Sequence, residues 1–229
     1  MAESTQPVIP DLAGCACPLC GQPAAAVATV DRRPLWGCAV CDLRFVPASY
    51  HPSPEQERQR YALHQNTRAN AGYVERLMGV VRSLRRRFAV HDERFTVLDF
   101  GCGPAPVLVD LLREAGFRAV GYDPYFAPDT DLRAPFDAVA AVETFEHFRQ
   151  PAVDVKRAAA LVKPGGFLLV MTALHDAATD WPRWHYARDL THVAFYSAKT
   201  FEFIAARWAL ETVESDGRAL TVLARPLAA

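Results

Sequence analysis

The run Thr96-Val97-Leu98-Asp99-Phe100-Gly101-Cys102-Gly103-Pro104-Ala105-Pro106 permits few architectures. Val97 to Phe100 is a short apolar run of the kind that forms a buried parallel strand, and Val107-Leu108-Val109-Asp110-Leu111-Leu112 continues at helical spacing. Between them, Gly101 and Gly103 allow positive φ and a close backbone approach where a Cβ would intrude. Pro106 suits a first helical turn, where its missing N–H would be unpaired anyway. A strand-turn-helix of this kind puts a ligand at the carboxyl end of a sheet, beside free N–H groups. The pattern is not a dinucleotide fingerprint, because Pro106 stands where the third glycine belongs.

The sequence that follows adds three further strands. Arg118 to Asp123 reads as a strand ending in an acidic residue 24 positions after Asp99, where a doubly wound fold presents a carboxylate to ribose hydroxyls. Phe136 to Val142 is another strand and runs into Glu143-Thr144-Phe145-Glu146-His147-Phe148. Leu161 to Val170 ends a helix in a Pro-Gly-Gly turn and begins the next strand. Near the end of the chain, Ser197 caps a helix over 198–208. Strands at 210–214 and 219–224 are joined by Asp216-Gly217, a hairpin signal.

Taken in order, VLDFGCGPAP (97–106), GYDP (121–124), FDAVAAVETFEHF (136–148) and LVKPGGFLLVMT (161–172) closely resemble the class I S-adenosylmethionine-dependent methyltransferases over roughly residues 95–225. The resemblance implies an α/β fold, a doubly wound and mainly parallel sheet with an antiparallel C-terminal strand pair. It also implies that Asp99, Gly101, Cys102 and Gly103 line the methionine side of S-adenosyl-L-methionine, that Asp123 bonds its ribose, and that Glu143 adjoins it. One departure is clear: only 12 residues separate Asp123 from Phe136, too few for the helix and strand that usually carry the adenine contacts. Asp129-Thr130-Asp131-Leu132 is what remains there.

At 229 residues, 51% hydrophobic and net charge −1, the chain has room for one medium and one small domain. Near-neutrality gives no electrostatic case for a nucleic-acid or membrane partner. No stretch approaches the ~20 apolar residues of a membrane span, and residues 1–10 lack the pattern of a signal peptide, so a cytoplasmic location is expected.

In that compartment cysteines are reduced and their spacing is informative. Cys17-x2-Cys20 and Cys38-x2-Cys41, 17 residues apart, fit a four-thiolate structural zinc ribbon. A redox pair, or thiols buried as small apolar groups, account less well for two pairs. Cys15 has no assigned role, and Cys102 packs in the glycine turn. The expected layout is a zinc ribbon over 1–46, a linker and amphipathic helical segment over 47–92, and the α/β core over 93–229.

The middle segment carries Leu77, Val80, Val81 and Leu84 at helical spacing, and one helix over 55–90 is expected. Arg82, Arg85, Arg86 and Arg87 read either as a grip for RNA phosphates or as a solvated face. Tyr61, His64, Asn66 and Tyr73 either close over the cofactor, as a segment before the first strand does in related methyltransferases, or pack the ribbon onto the core.

Methyl transfer is an in-line displacement, so the protein positions a nucleophile and supplies a base where a proton must leave. Two clusters beyond the strands qualify. Glu146-His147 follows the strand ending at Val142, and His147 is the candidate base with Glu146 orienting it. The second is His175, Asp176, Trp181, Trp184, His185, Tyr186, Asp189, Thr191 and His192, in a long loop over 173–193 suited to an aromatic-walled acceptor pocket. His192 and the tryptophans are expected to hold the acceptor; Asp189 and His192 have no spacing specific to a second metal. The reading is a methyltransferase for a small polar or aromatic molecule, at oxygen, carbon or nitrogen. The alternatives are an RNA base methyltransferase and a non-catalytic binding module on the same fold.

Overall fold

The computed structural model describes residues 15–63, 66–88 and 94–227. An antiparallel hairpin of β1 (Ala24–Val30) and β2 (Arg33–Cys38) is extended by β3 (Arg44–Phe45). At the hairpin tip Asp31 and Arg32 both take positive φ, 46° and 67°, a turn whose twist suits paired strands.

Two helices follow, α1 (Pro54–Ala62) and α2 (Ala71–Arg87), where the sequence suggested one. Each has its own start signal. Ser53 forms a capping box with Gln56, and Asn70 accepts the Tyr73 N–H. Leu77, Val80, Val81 and Leu84 are buried, as their spacing requires.

The core then runs β4 (Thr96–Phe100), α3 (Val107–Glu114), β5 (Arg118–Tyr122), β6 (Phe136–Val142), α4 (Pro151–Ala160), β7 (Val162–Met171), α5 (His185–Arg188), β8 (Ala194–Phe195), α6 (Ala198–Arg207), β9 (Glu211–Ser215) and β10 (Leu220–Ala224). The large sheet has the order β5-β4-β6-β7-β10-β9. The first four strands are parallel, and β10 runs antiparallel between β7 and β9. This is the α/β sheet expected. Residues 124–135 form no strand, which leaves β5 at the sheet edge. The Thr130 hydroxyl donates to Gly121 O at 2.6 Å and ties the short connection to β5.

Apolar side chains fill both faces of the sheet. Leu77, Val81, Leu112 and Val222 belong to one cluster. The other joins Leu98, Val139, Phe145 and Phe201 to Cys17, Leu19, Cys38 and Leu43 of the N-terminal unit. The small sheet, β1-β2-β3-β8, also takes its fourth strand from the C-terminal half. The cysteine-bearing unit is therefore packed onto the core and hydrogen-bonded to it.

Candidate functional site

The turn after β4 sets the site. Gly101 and Gly103 have φ of 89° and 64°, a region an L side chain enters at a cost. A Cβ on Gly101 would lie 2.5 Å from both Oγ1 and Cγ2 of Thr144, so this turn must pass close to the end of β6. A Cβ on Gly103 would meet nothing within 4 Å. The Gly101 and Cys102 N–H groups donate to Tyr122 O, at 2.7 and 3.1 Å, joining the turn to β5.

A cavity of about 1020 Å³ opens beyond the carboxyl ends of β4, β5 and β6. Gly101, Cys102, Gly103, Asp123, Glu143, His147, Tyr186, Asp189 and His192 all line it. Asp123 accepts the Gly103 N–H at 3.1 Å and the Tyr125 and Phe126 N–H groups at 2.8 and 3.1 Å. Asp99 does not line the cavity. It lies buried behind the wall, and desolvation, with the Asp123 charge adding to it, pushes its carboxyl up to about 7. Glu143 has φ of 49°, and burial, with Glu146 beside it, raises its carboxyl to about 7.

Two helices roof this space. Glu57 and Tyr61 face it from α1, and Asn70, the N-cap of α2, faces it with Tyr73 and Arg76 of that helix at three-residue intervals. Asn66 lines it from the connection, while His64 lies outside the described residues. Glu57 is buried, accepting from Tyr125 Oη at 2.8 Å and Arg149 Nε at 3.0 Å. The Arg60–Asp189 ion pair, 2.7 Å, fastens α1 to the long loop. The helical phase of these polar residues was available in the sequence; their partners were not.

Glu146 is fully buried. Its Oε2 accepts the Thr172 hydroxyl at 2.8 Å, and that hydroxyl also meets Tyr186 Oη at 3.0 Å. Its Oε1 has no hydrogen-bond partner and stands 3.8 Å from His147 Nε2. Desolvation raises the carboxyl to about 7. The expected orienting contact between Glu146 and His147 is thus an electrostatic approach beyond hydrogen-bond range. What orients His147 is the Thr191 carbonyl, 3.0 Å from Nδ1. His192 Nδ1 lies 2.7 Å from Tyr186 O in the same way. Donation from Nδ1 leaves the lone pair of each neutral ring on Nε2. One Glu146 oxygen and one ring nitrogen of each histidine lie within 4.8 Å of one another. Burial holds the His147 pKa below its ordinary value.

The long loop divides its residues differently from expectation. Trp181 and Trp184 pack with Tyr186 and Phe195 against Val30, Leu35 and Val46, so the tryptophans seat the hairpin and do not line the cavity. His175 also turns away, with Nε2 3.1 Å from Asp42 O. His185, Tyr186, Asp189 and His192 remain on the wall. Of the arginine cluster, Arg86 and Arg87 pair with Glu214 and Arg82 pairs with Glu75.

The cysteines form two matching knuckles. Gly21 N–H donates to Cys17 O at 2.8 Å and Asp42 N–H to Cys38 O at 3.0 Å, with φ of 77° and 60° at Gly21 and Asp42. All four thiols of Cys17, Cys20, Cys38 and Cys41 lie within 4.8 Å of one another and are unbridged. Two of the pairs, Cys17–Cys41 at 3.5 Å and Cys20–Cys38 at 3.4 Å, lie a little under the edge of about 3.8 Å that a tetrahedron with 2.3 Å metal–sulfur bonds requires. The hydrogen bond between Cys17 and Cys41 draws the Cys17 thiol down and pushes the Cys41 thiol up.

A family model described as a methyltransferase domain matches residues 63–215. Ubiquinone biosynthesis O-methyltransferases are among the curated relatives. That of Bradyrhizobium diazoefficiens is 34% identical over 99 residues, covering 33% of this chain and 39% of the relative. The Xylella fastidiosa protein is 35% identical over 100 residues, covering 33% and 41%. The chain thus spans about two fifths of these relatives. Among solved structures, Burkholderia thailandensis 1,6-didemethyltoxoflavin-N1-methyltransferase, with 1,6-didemethyltoxoflavin and S-adenosylhomocysteine bound, has a TM-score of 0.55 at 15% identity, covering 90% of this chain and 100% of that one. An O-methyltransferase family protein from the same organism also gives 0.55, at 18% identity over 79% of this chain and 66% of that one.

Proposed function

The chain belongs to the methyltransferase-domain family, and from that premise we propose that it transfers the methyl group of S-adenosyl-L-methionine to a hydroxyl oxygen of a small molecule. The observation that carries this reading is the shared wall. The glycine turn and Asp123 face the same cavity as His147 and His192. Gly101, Cys102 and Gly103 would flank the methionine moiety, with Asp99 behind them, Asp123 on the ribose and Glu143 alongside. When bound, the cofactor supplies an electrophilic sulfonium methyl carbon. A wall containing the Glu143 and Asp123 carboxylates suits that positive charge.

A neutral hydroxyl must lose a proton to become a good nucleophile, which is why a base belongs in the reading. His147 Nε2 takes that proton, and the Glu146 oxygen 3.8 Å away stabilises the imidazolium that results. His192 holds the acceptor. The choice of oxygen is supported by the O-methyltransferase names of the curated relatives.

Cys17, Cys20, Cys38 and Cys41 hold one zinc ion. Four thiolates leave no open position, so the ion is structural and keeps the N-terminal unit folded against the core.

Calorimetry with S-adenosylhomocysteine, followed by incubation of methyl-labelled cofactor with catechol and simple phenols, tests the proposal. Binding with label recovered in an aryl methyl ether supports it. An absence of cofactor-product binding would overturn it.

A further inference from the structure

Arg33 begins β2 at the tip of the hairpin, and its guanidinium reaches one loop more than 150 residues away in sequence, bonding carbonyls 154 to 159 positions on. Nη2 donates to Ala187 O at 2.7 Å and Asp189 O at 2.9 Å. Nη1 donates to Leu190 O at 3.0 Å and His192 O at 3.2 Å. Alongside it, Arg188 Nε donates to the Asp31 carboxylate at 3.1 Å. Ala187 lies in α5, a single four-residue turn, and the other three carbonyls belong to the segment that leaves it. A planar fork with five donors can satisfy several of them together, whereas an ammonium group offers three donors from one point.

His192 hangs from this same segment. Its N–H donates to Asp189 O at 3.1 Å, and its Nδ1 is held by Tyr186 O at 2.7 Å. The next residue, Val193, donates its N–H to Glu146 O at 2.8 Å. The backbone carrying His192 is therefore gripped on one side by the hairpin and on the other by the Glu146–His147 turn. These four hydrogen bonds of the Arg33 guanidinium all go to residues 187–192 and none to the glycine turn.

We propose that Arg33 is a positioning residue for the acceptor side of the cavity: by clamping the carbonyls of residues 187–192 it sets the place of His192 and makes that side, but not the cofactor side, depend on the cysteine-bearing hairpin. The proposal rests on reading His192 as an acceptor-site residue.

Two variants test it, Arg33→Met, which keeps the stem and removes the donors, and Arg33→Lys, which restores charge and part of the bonding. The readouts are amide hydrogen exchange, the His192 ring carbon–proton resonance and its titration, and affinity for S-adenosylhomocysteine. Loss of charged hydrogen bonds should speed exchange across 187–193 by about tenfold or more in Arg33→Met and less in Arg33→Lys. The His192 resonance should move in the same order, with cofactor-product affinity held within about twofold. Unchanged exchange and an unmoved His192 resonance in the folded variants overturn the clamp. So does exchange that rises equally in β4 and β6, since that is general loosening. Should Arg33→Met not fold, Arg33→Lys alone carries the comparison. Failure of the parent protein to bind S-adenosylhomocysteine strikes the methyltransferase reading, and the exchange and resonance data still decide the clamp.

Discussion

Asp123 Oδ2 accepts the Gly103 N–H at 3.1 Å, so the carboxylate at the end of β5 braces the glycine turn that follows β4. Its other oxygen accepts from Tyr125 and Phe126. A single carboxylate thus shapes the turn and faces the cavity. Asp123→Ala should weaken S-adenosylhomocysteine binding by ~1.5–3 kcal/mol, the scale of a hydrogen bond to a charged group, and should also lower the melting temperature. Asp123→Asn keeps one acceptor oxygen and should spare most of the stability. Calorimetry and melting curves separate the two effects; parental binding by Asp123→Ala would remove Asp123 from the site.

Gly101 and Gly103 should fail differently when substituted. A side chain on Gly101 drives into Thr144 2.5 Å away, so Gly101→Val should damage the fold itself before any ligand is considered. Gly103 faces open space, and Gly103→Val should leave a folded protein with weakened cofactor binding, after a backbone cost of about 1–2 kcal/mol for its positive φ. Equal melting temperatures for the two variants would contradict this distinction.

These two glycines also mark what was legible in the sequence. The strands, the turn and the missing strand after Asp123 are local features, written in apolar runs, glycines and a count of residues. The pairing of Gly101 with Thr144 lies across the sheet, and no spacing encodes it. The same holds for the loop 173–193. Its aromatic content suggested an acceptor pocket, yet whether Trp181 faces a ligand or Val30 depends on β8 joining the small sheet. One helix was expected over 55–90 because Leu77 to Leu84 dominate the periodicity, while the Ser53 and Asn70 caps are single-residue signals.

The cysteine cluster should give about one equivalent of zinc per chain. Cobalt substituted for it should show intense thiolate charge-transfer absorption, and Cys38→Ser should lose both that band and part of the fold. Because Cys17, Leu19, Cys38 and Leu43 share a cluster with Leu98 and Phe145, stripping the metal should loosen the α6 side of the core as well as the N-terminal unit. Fully folded, metal-free protein would dismiss the zinc assignment.

Glu146 should make stability depend on pH. Its folded pKa of about 7 stands above the ordinary 4.5, so the folded state retains a proton that the unfolded state releases. Its contribution is fully present below about 4.5 and is lost as pH rises through about 7. Glu146→Gln cannot ionise. In ligand-free protein it should gain stability over the parent between those limits, on the order of 1–3 kcal/mol, with a level difference above them. A difference that does not vary with pH would show that Glu146 titrates normally.

The most demanding prediction concerns the division of labour between the two histidines. His147 has Nδ1 fixed by Thr191 O, which directs a basic Nε2 toward the side where Glu146 Oε1 stands 3.8 Å away. His192 is fixed by Tyr186 O on the loop held by Arg33. Once labelled cofactor has identified an acceptor, His147→Ala should lower turnover by roughly 10²–10⁴, the range for a positioned general base, with cofactor-product affinity nearly intact. His192→Ala should chiefly raise the Michaelis constant for that acceptor. Burial keeps the His147 pKa below its ordinary value, so turnover should decline on the acid side as the ring protonates. That acid limb should vanish in His147→Ala. A nearly inactive His192→Ala beside an active His147→Ala would exchange the two roles. If neither substitution matters, the acceptor arrives already nucleophilic, and transfer rests on the proximity that the cavity enforces.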